Sequence, residues 1–135
     1  MPVLSVWMVR TALLQLSLGF MVGGLILMRN ALPGGASLYR LVPLHLEMLL
    51  IGWLVQLAMG VGFWMLPKFR EGRPRGREEL VWTAYVCLNS GVLIAGIAQS
   101  ADGAALLALT GRGAEALAAV LFLANAWPRI KPFGV

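Results

Sequence analysis

Four apolar stretches, separated by short polar segments, account for most of the chain. They run from about 7 to 28, 41 to 67, 80 to 99 and 104 to 127. About 20 residues of α-helix cross the hydrocarbon core of a bilayer, so each stretch is long enough to span it. None of them shows the alternation of apolar and polar residues that is typical of a barrel strand. A helix is suited to lipid because it forms all its backbone hydrogen bonds internally. The pattern predicts an all-α integral membrane four-helix bundle, one domain over residues 1–135.

The composition supports a membrane environment. Hydrophobic residues make up 59% of the chain and charged residues 13%, whereas soluble domains average about 25% charged residues. A net charge of +5 is compatible with nucleic-acid binding, but the basic residues lie mostly between the apolar stretches. We therefore interpret them as topology signals, and expect membrane lipid and no nucleic acid as a partner.

The loops predict the orientation in the membrane. The segment 68–77 contains five basic residues, and the C-terminal end adds Arg129 and Lys131. The other two linkers carry fewer, since Arg29 and Arg40 flank the first and residues 100–103 have none. By the positive-inside rule, we expect a multi-pass protein of the cell inner membrane with both termini in the cytoplasm.

His45 is the only histidine, and it lies within the second apolar stretch. An ionisable side chain inside the membrane needs a partner, so it is by default a candidate functional residue. Neutral imidazole is a common metal ligand, and haem iron is the metal we expect it to meet in a membrane. The alternative is a structural histidine that is hydrogen-bonded to a backbone carbonyl in a helix–helix contact.

The second stretch has one helical face with candidate ligand-binding positions. At about 100° per residue that face contains His45, Leu49, Gly52, Gln56, Met59 and Phe63. Gly52 leaves room for a planar group or another backbone, and Gln56 should face protein or a ligand because an unpaired amide is costly at mid-membrane. Met48, close to the same face, is either a second haem ligand or a filler of the core. Gly19 and Gly23 of the first stretch form a GxxxG motif suited to close helix contact.

The segment 44–67, LHLEMLLIGWLVQLAMGVGFWMLP, combines a histidine, a Gly-Trp pair, further glycines and a final aromatic-x-x-Pro-basic pattern. It resembles the second helix of the large subunit of the haem-copper oxidase superfamily. The nitric oxide reductase-like and C-family oxidase-like members are the most similar, together with small four-span proteins related to them. In that superfamily this histidine is an axial ligand of low-spin haem b, so the resemblance implies that role for His45.

The departures from the family limit what the chain can do. A full large subunit has many more helices and further histidines for copper and the catalytic haem, whereas this chain has one histidine. The resemblance therefore implies a copper-less protein that is no enzyme by itself. It predicts a b-type haem protein that transfers electrons, with a respiratory-chain redox partner. The alternative is a cofactor-free accessory or assembly protein of a respiratory oxidase or nitric oxide reductase complex.

A low-spin haem needs two axial ligands, and one histidine per chain predicts a homo-oligomer. A two-fold homodimer would place one haem between the two copies of His45, and a homotrimer is the competing assembly. The haem propionates need cations, for which Arg40 and Arg112 are candidates. The alternatives are an interfacial anchor for Arg40 and, for Arg112, an ion pair with Glu115 or Glu47.

Overall fold

A computed structural model describes residues 1–31, 35–69, 72, 74–101 and 105–130 of the chain. These residues form helices and turns, and the part of the chain described contains no strand. Four helical segments are long and apolar enough to cross a membrane. We name them the first span (Val3–Leu27), the second span (Ser37–Met65), the third span (Glu78–Ser100) and the fourth span (Ala105–Arg129). The prediction of an all-helical chain with four helices able to cross a membrane is confirmed for the described residues.

The first and third spans are continuous α-helices, Val3–Leu27 and Glu78–Ser100. A short 3₁₀ turn, Met28–Asn30, follows the first. In the fourth span an α-helix, Ala105–Ala126, precedes a 3₁₀ turn, Trp127–Arg129. The second span changes its helical type along its length: 3₁₀ over Gly35–Leu41, α over Val42–Glu47, π over Met48–Val55 and α over Gln56–Met65.

The helices of the first and third spans begin earlier than the predicted apolar stretches. The first helix starts at Val3 rather than near residue 7, directly after the extended residue Pro2. The third starts at Glu78 rather than at 80, and its first turn holds Glu78 and Glu79. Acidic side chains are favourable at a helix N-terminus, because the exposed N–H groups there carry partial positive charge. Hydropathy alone misses such polar first turns.

The second and third spans lie at the centre of the bundle. The first span packs against the second, and the fourth packs against the third. A buried apolar cluster joins all four spans and consists of Leu4, Met8, Met59, Phe63, Val81, Ala84, Leu88 and Ala118. The two outer spans leave much of their surface uncovered, as helices surrounded by lipid do.

Glycines bring the third and fourth spans into close contact. A Cβ added to Gly111 would lie 2.6 Å from the backbone nitrogen of Ala95, and one added to Gly91 would lie 2.9 Å from the Gly111 carbonyl oxygen. Small residues allow membrane helices to approach until their backbones touch, and dispersion forces then hold them together. The third and fourth spans therefore form a tightly packed helical hairpin.

At one end of the bundle, Arg129 and Asn125 bind the connection between the second and third spans. The Arg129 side chain is buried and donates hydrogen bonds to the carbonyl oxygens of Phe63, Leu66 and Pro67. Asn125 Nδ2 donates to the backbone carbonyls of Arg75 and Arg77. The Arg129 contacts satisfy carbonyls at the end of the second span, and the Asn125 contacts satisfy carbonyls of the connection just before the third span.

Candidate cofactor site at His45

The His45 imidazole is held against the backbone of the first span. Its Nδ1 lies 2.8 Å from the carbonyl oxygen of Gly19. A carbonyl only accepts hydrogen bonds, so Nδ1 carries the proton and donates. In the neutral ring the other nitrogen, Nε2, then has a free lone pair, which is the form that coordinates metals. Metal-binding histidines commonly use such a bond to fix the ring.

The GxxxG motif makes room for this arrangement. A Cβ on Gly23 would lie 2.7 Å from His45 Cε1, and one on Gly19 would lie 2.7 Å from Leu49 Cδ2. Either added carbon would force the neighbouring side chain to move. The motif therefore serves contact between the first and second spans of one chain and determines where the imidazole lies.

His45 lines an apolar groove of about 470 Å³ between the first and second spans. Nε2 has no hydrogen-bond partner among the residues that the structure describes. The groove is bordered by side chains of both spans and by two consecutive glycines: Phe20, Gly23, Gly24, Ile26, Leu27 and Val42. The geometry thus combines a metal-competent nitrogen with an apolar space.

The groove is open on the outer side of the bundle. Phe20 and Leu27, which border it, are 66% and 83% exposed. Just after the first span, the Arg29 guanidinium lies over the Tyr39 ring, 5.1 Å from the ring centroid. A ligand in this groove would remain uncovered on one side unless lipid or another protein chain covered it.

Among the predicted site residues, His45 alone borders the groove. The gap expected above Gly52 is absent, because the side-chain oxygen of Gln15 occupies the position that a Cβ on Gly52 would take. Gln56 is fully buried and its Nε2 donates to the carbonyl of Met8 at 3.1 Å, so it faces the first span. Met48 is buried, with its Cβ packed near Gly19. The predicted face is therefore mainly a contact with the first span.

The two candidate arginines also lie outside the groove lining. Arg112 forms ion pairs with Glu47 and Glu115, the second at 3.3 Å. Glu47 packs towards the third span, where its Cβ is 3.5 Å from a Cβ placed on Gly96. The structure therefore forms the ion pairs that were the alternative for Arg112, on a different side of the second span from His45. Arg40 is exposed and interacts within the chain.

Sequence reasoning missed a polar layer between the first and third spans. Gln15 Nε2 donates to Asn89 Oδ1 at 2.7 Å, and the Thr11 hydroxyl is hydrogen-bonded to the Tyr85 hydroxyl at 2.8 Å. The signal was present, since both spans carry two polar residues spaced four apart inside an apolar run. These hydrogen bonds fix the position of the first span along the axis of the third, and with it the position of the Gly19 carbonyl.

A single imidazole suits a metal that brings its own ligands. Within the described part of the chain, no group of three or more His, Cys, Asp or Glu side chains could hold a bare metal ion. A porphyrin supplies the equatorial ligands of its iron, so the protein needs to provide only axial ones.

No protein-family model, no curated protein and no solved structure matches this chain. The resemblance of the segment 44–67 to an oxidase helix therefore remains a prediction. The geometry around His45 must carry any proposal about function.

Proposed function

We propose that this chain is a b-type haem membrane protein in which His45 binds the iron and the haem transfers electrons. The observation that carries the proposal is the hydrogen bonding of the His45 imidazole. Its Nδ1 donates to the Gly19 carbonyl, and its Nε2 has no partner within the described part of the chain, in a side chain that lines an apolar groove. When bound, the haem would supply one-electron redox chemistry, and the chain would supply an axial ligand and an apolar environment.

The size and polarity of the groove support this ligand. Its volume of about 470 Å³ lies within the range of about 300–1,000 Å³ that is usual for cofactor and ligand sites. Its lining is apolar apart from the imidazole, which suits a porphyrin ring. Arg29 and Arg40, which flank the linker between the first and second spans, are the cations we assign to the propionates. Arg112 is less suited, because two carboxylates already neutralise it.

The open side of the groove supports a homodimer. A second copy related by a two-fold axis would cover the exposed edge of the haem and provide a second His45 as the other axial ligand. We also propose that the protein lies in the cell inner membrane with both termini in the cytoplasm, since the most basic connection joins the second and third spans. The redox partner would then be another membrane component of a respiratory chain.

The spectrum of the purified protein tests the haem proposal. We expect protein purified from haem-sufficient cells to show a sharp Soret band, and His45→Ala to lose it because no other imidazole is present. Met48→Leu is the matched control, since it preserves volume at a neighbouring buried position and should keep the spectrum. A colourless wild-type protein would overturn the proposal. Ready binding of carbon monoxide by the reduced haem would contradict two strong axial ligands.

The second candidate function is a cofactor-free accessory or assembly protein of a respiratory complex. The close seating of the imidazole against Gly19 and Gly23 favours it, since a purely structural histidine would use the same contacts. In that case the protein would be colourless, and His45→Ala would lower its stability without any spectral change.

A further inference from the structure

The first span carries two consecutive glycines, Gly23 and Gly24, whose surroundings differ completely. A side chain on Gly23 would collide with His45, whose Cε1 is 2.7 Å from the added Cβ. A Cβ on Gly24 would meet no heavy atom within 4 Å among the described residues, apart from its chain neighbours and the backbone of its own helix. Packing within the chain therefore explains Gly23 and leaves Gly24 unexplained.

Glycine in the interior of a helix is unfavourable by about 1 kcal/mol relative to alanine. Gly24 lies inside the helix Val3–Leu27, where its backbone needs no positive φ. Gly113 on the fourth span shares this cost, but Gly24 differs from it because it lines the His45 groove.

We propose that Gly24 is a ligand-contact residue, the position in the groove where a bound ring would touch the backbone of the first span. This inference rests on the proposed haem site. His45 defines one point of contact with the ligand through its Nε2, which none of the described residues engages. Gly24 defines another, because there the groove wall is bare backbone over which a planar ring can lie at van der Waals distance.

The proposal assigns separate roles to the two glycines. Gly23 is a positioning residue, because it acts on the ligand through His45. Gly24 acts on the ligand directly and sets the space available to it. The site therefore favours flat ring systems. The first span contributes to this preference through Gly24, and the second span contributes through His45.

Haem titration of the apo-protein tests the role of Gly24. We expect Gly24→Leu to weaken haem binding at least about tenfold, because its side chain would fill the space that the ring needs. Gly113→Leu is the matched control: it is also a helical glycine with nothing within 4 Å of an added Cβ, but it lies on the fourth span away from the groove. Its haem affinity should equal that of the wild type. An unchanged affinity in Gly24→Leu would overturn the proposal.

Chemical labelling gives a second measurement that does not depend on a bulky substitution. In a Cys87→Ala background, we expect Gly24→Cys to react with a small thiol reagent in the apo-protein and to be protected by bound haem. Gly113→Cys should react equally in both states. Labelling of Gly24→Cys that haem does not reduce, or protection that is already complete without haem, would assign this surface to lipid or to a second copy and overturn the proposal.

The failure of this inference is distinguishable from the failure of the proposed function. If wild-type protein binds no haem, the His45 site itself is wrong. If wild-type protein binds haem and Gly24→Leu binds it equally well, the function stands and the assignment of Gly24 falls.

Discussion

Two basic side chains inside this bundle show how the surroundings of a residue decide its role. His45 has one nitrogen that donates to a carbonyl and one without a partner among the residues that the structure describes. Arg129 is 1% exposed, and four of the hydrogen bonds it donates go to oxygen atoms of the surrounding chain. A buried cation whose three nitrogens all donate hydrogen bonds indicates a structural role, whereas the imidazole keeps one nitrogen for the ligand that we propose.

We expect Arg129→Gln to destabilise the protein by about 2–4 kcal/mol, because a shorter amide leaves buried carbonyls of residues 63–67 without donors. The measurement is the free energy of unfolding in detergent. Arg77→Gln is the control. Arg77 lies at the same end of the bundle, and its substitution removes the same charge from an exposed position. Equal stabilities of the two variants would show that the buried hydrogen bonds of Arg129 contribute nothing beyond its charge.

Among the helices, the spacing of small residues determines which spans pack closely. Gly19 and Gly23 bring the first span onto the second, and Gly91 and Gly111 bring the third onto the fourth. Ion pairs add a further link, as Arg112 on the fourth span meets Glu47 on the second. The second span also contains π-helical turns between His45 and Gln56, a feature that is often found near functional sites.

Gly111→Ala and Gly113→Ala test the packing of the fourth span with two changes in one helix. Gly111→Ala should destabilise the protein by about 1–3 kcal/mol, because its Cβ would meet the Ala95 backbone, which cannot rotate away as a side chain can. Gly113→Ala should be neutral or stabilising by up to about 1 kcal/mol, since the added methyl group meets nothing and favours the helix. Thermal unfolding in detergent distinguishes the two. A loss of stability in both variants would point to the helix itself rather than to its contact with the third span.

On the scale of the whole molecule, the arrangement of the spans leaves the His45 groove at the edge of the bundle. The first span is an outer helix and packs mainly against the second, so the groove between their ends has one open side. One chain alone provides one axial histidine. A complete site in our proposal therefore requires a second copy.

We expect the purified protein to contain one haem for every two chains and to have the mass of a dimer in detergent. The physical reason is that a shared haem uses His45 from both copies and buries the open side of each groove. Native mass spectrometry, combined with haem quantification, gives both values. A monomer with one haem would contradict a shared site, and a trimer would favour the competing assembly.

The sequence by itself determined the class of the protein. Four apolar runs of sufficient length predict four spanning helices, because lipid requires every backbone polar group to be bonded within the chain. The sequence also singled out His45, since a lone imidazole in such a run is costly without a partner. Hydropathy misplaced the start of the third helix at Glu78, because polar residues can form the first turn of a helix, and it placed the start of the first helix four residues after Val3.

Only the tertiary structure decided what each residue contacts. Helical periodicity placed Gly52 and Gln56 on one face with His45, but it could not say that Gln15 and the Met8 carbonyl of the first span would cover them. The sequence named Glu47 and Glu115 as alternative partners of Arg112, but only the structure shows that both pair with it. The burial of Arg129 had no signal in the periodicity. Periodicity describes one helix at a time, whereas these contacts arise between helices whose neighbours, heights and rotations are set by packing.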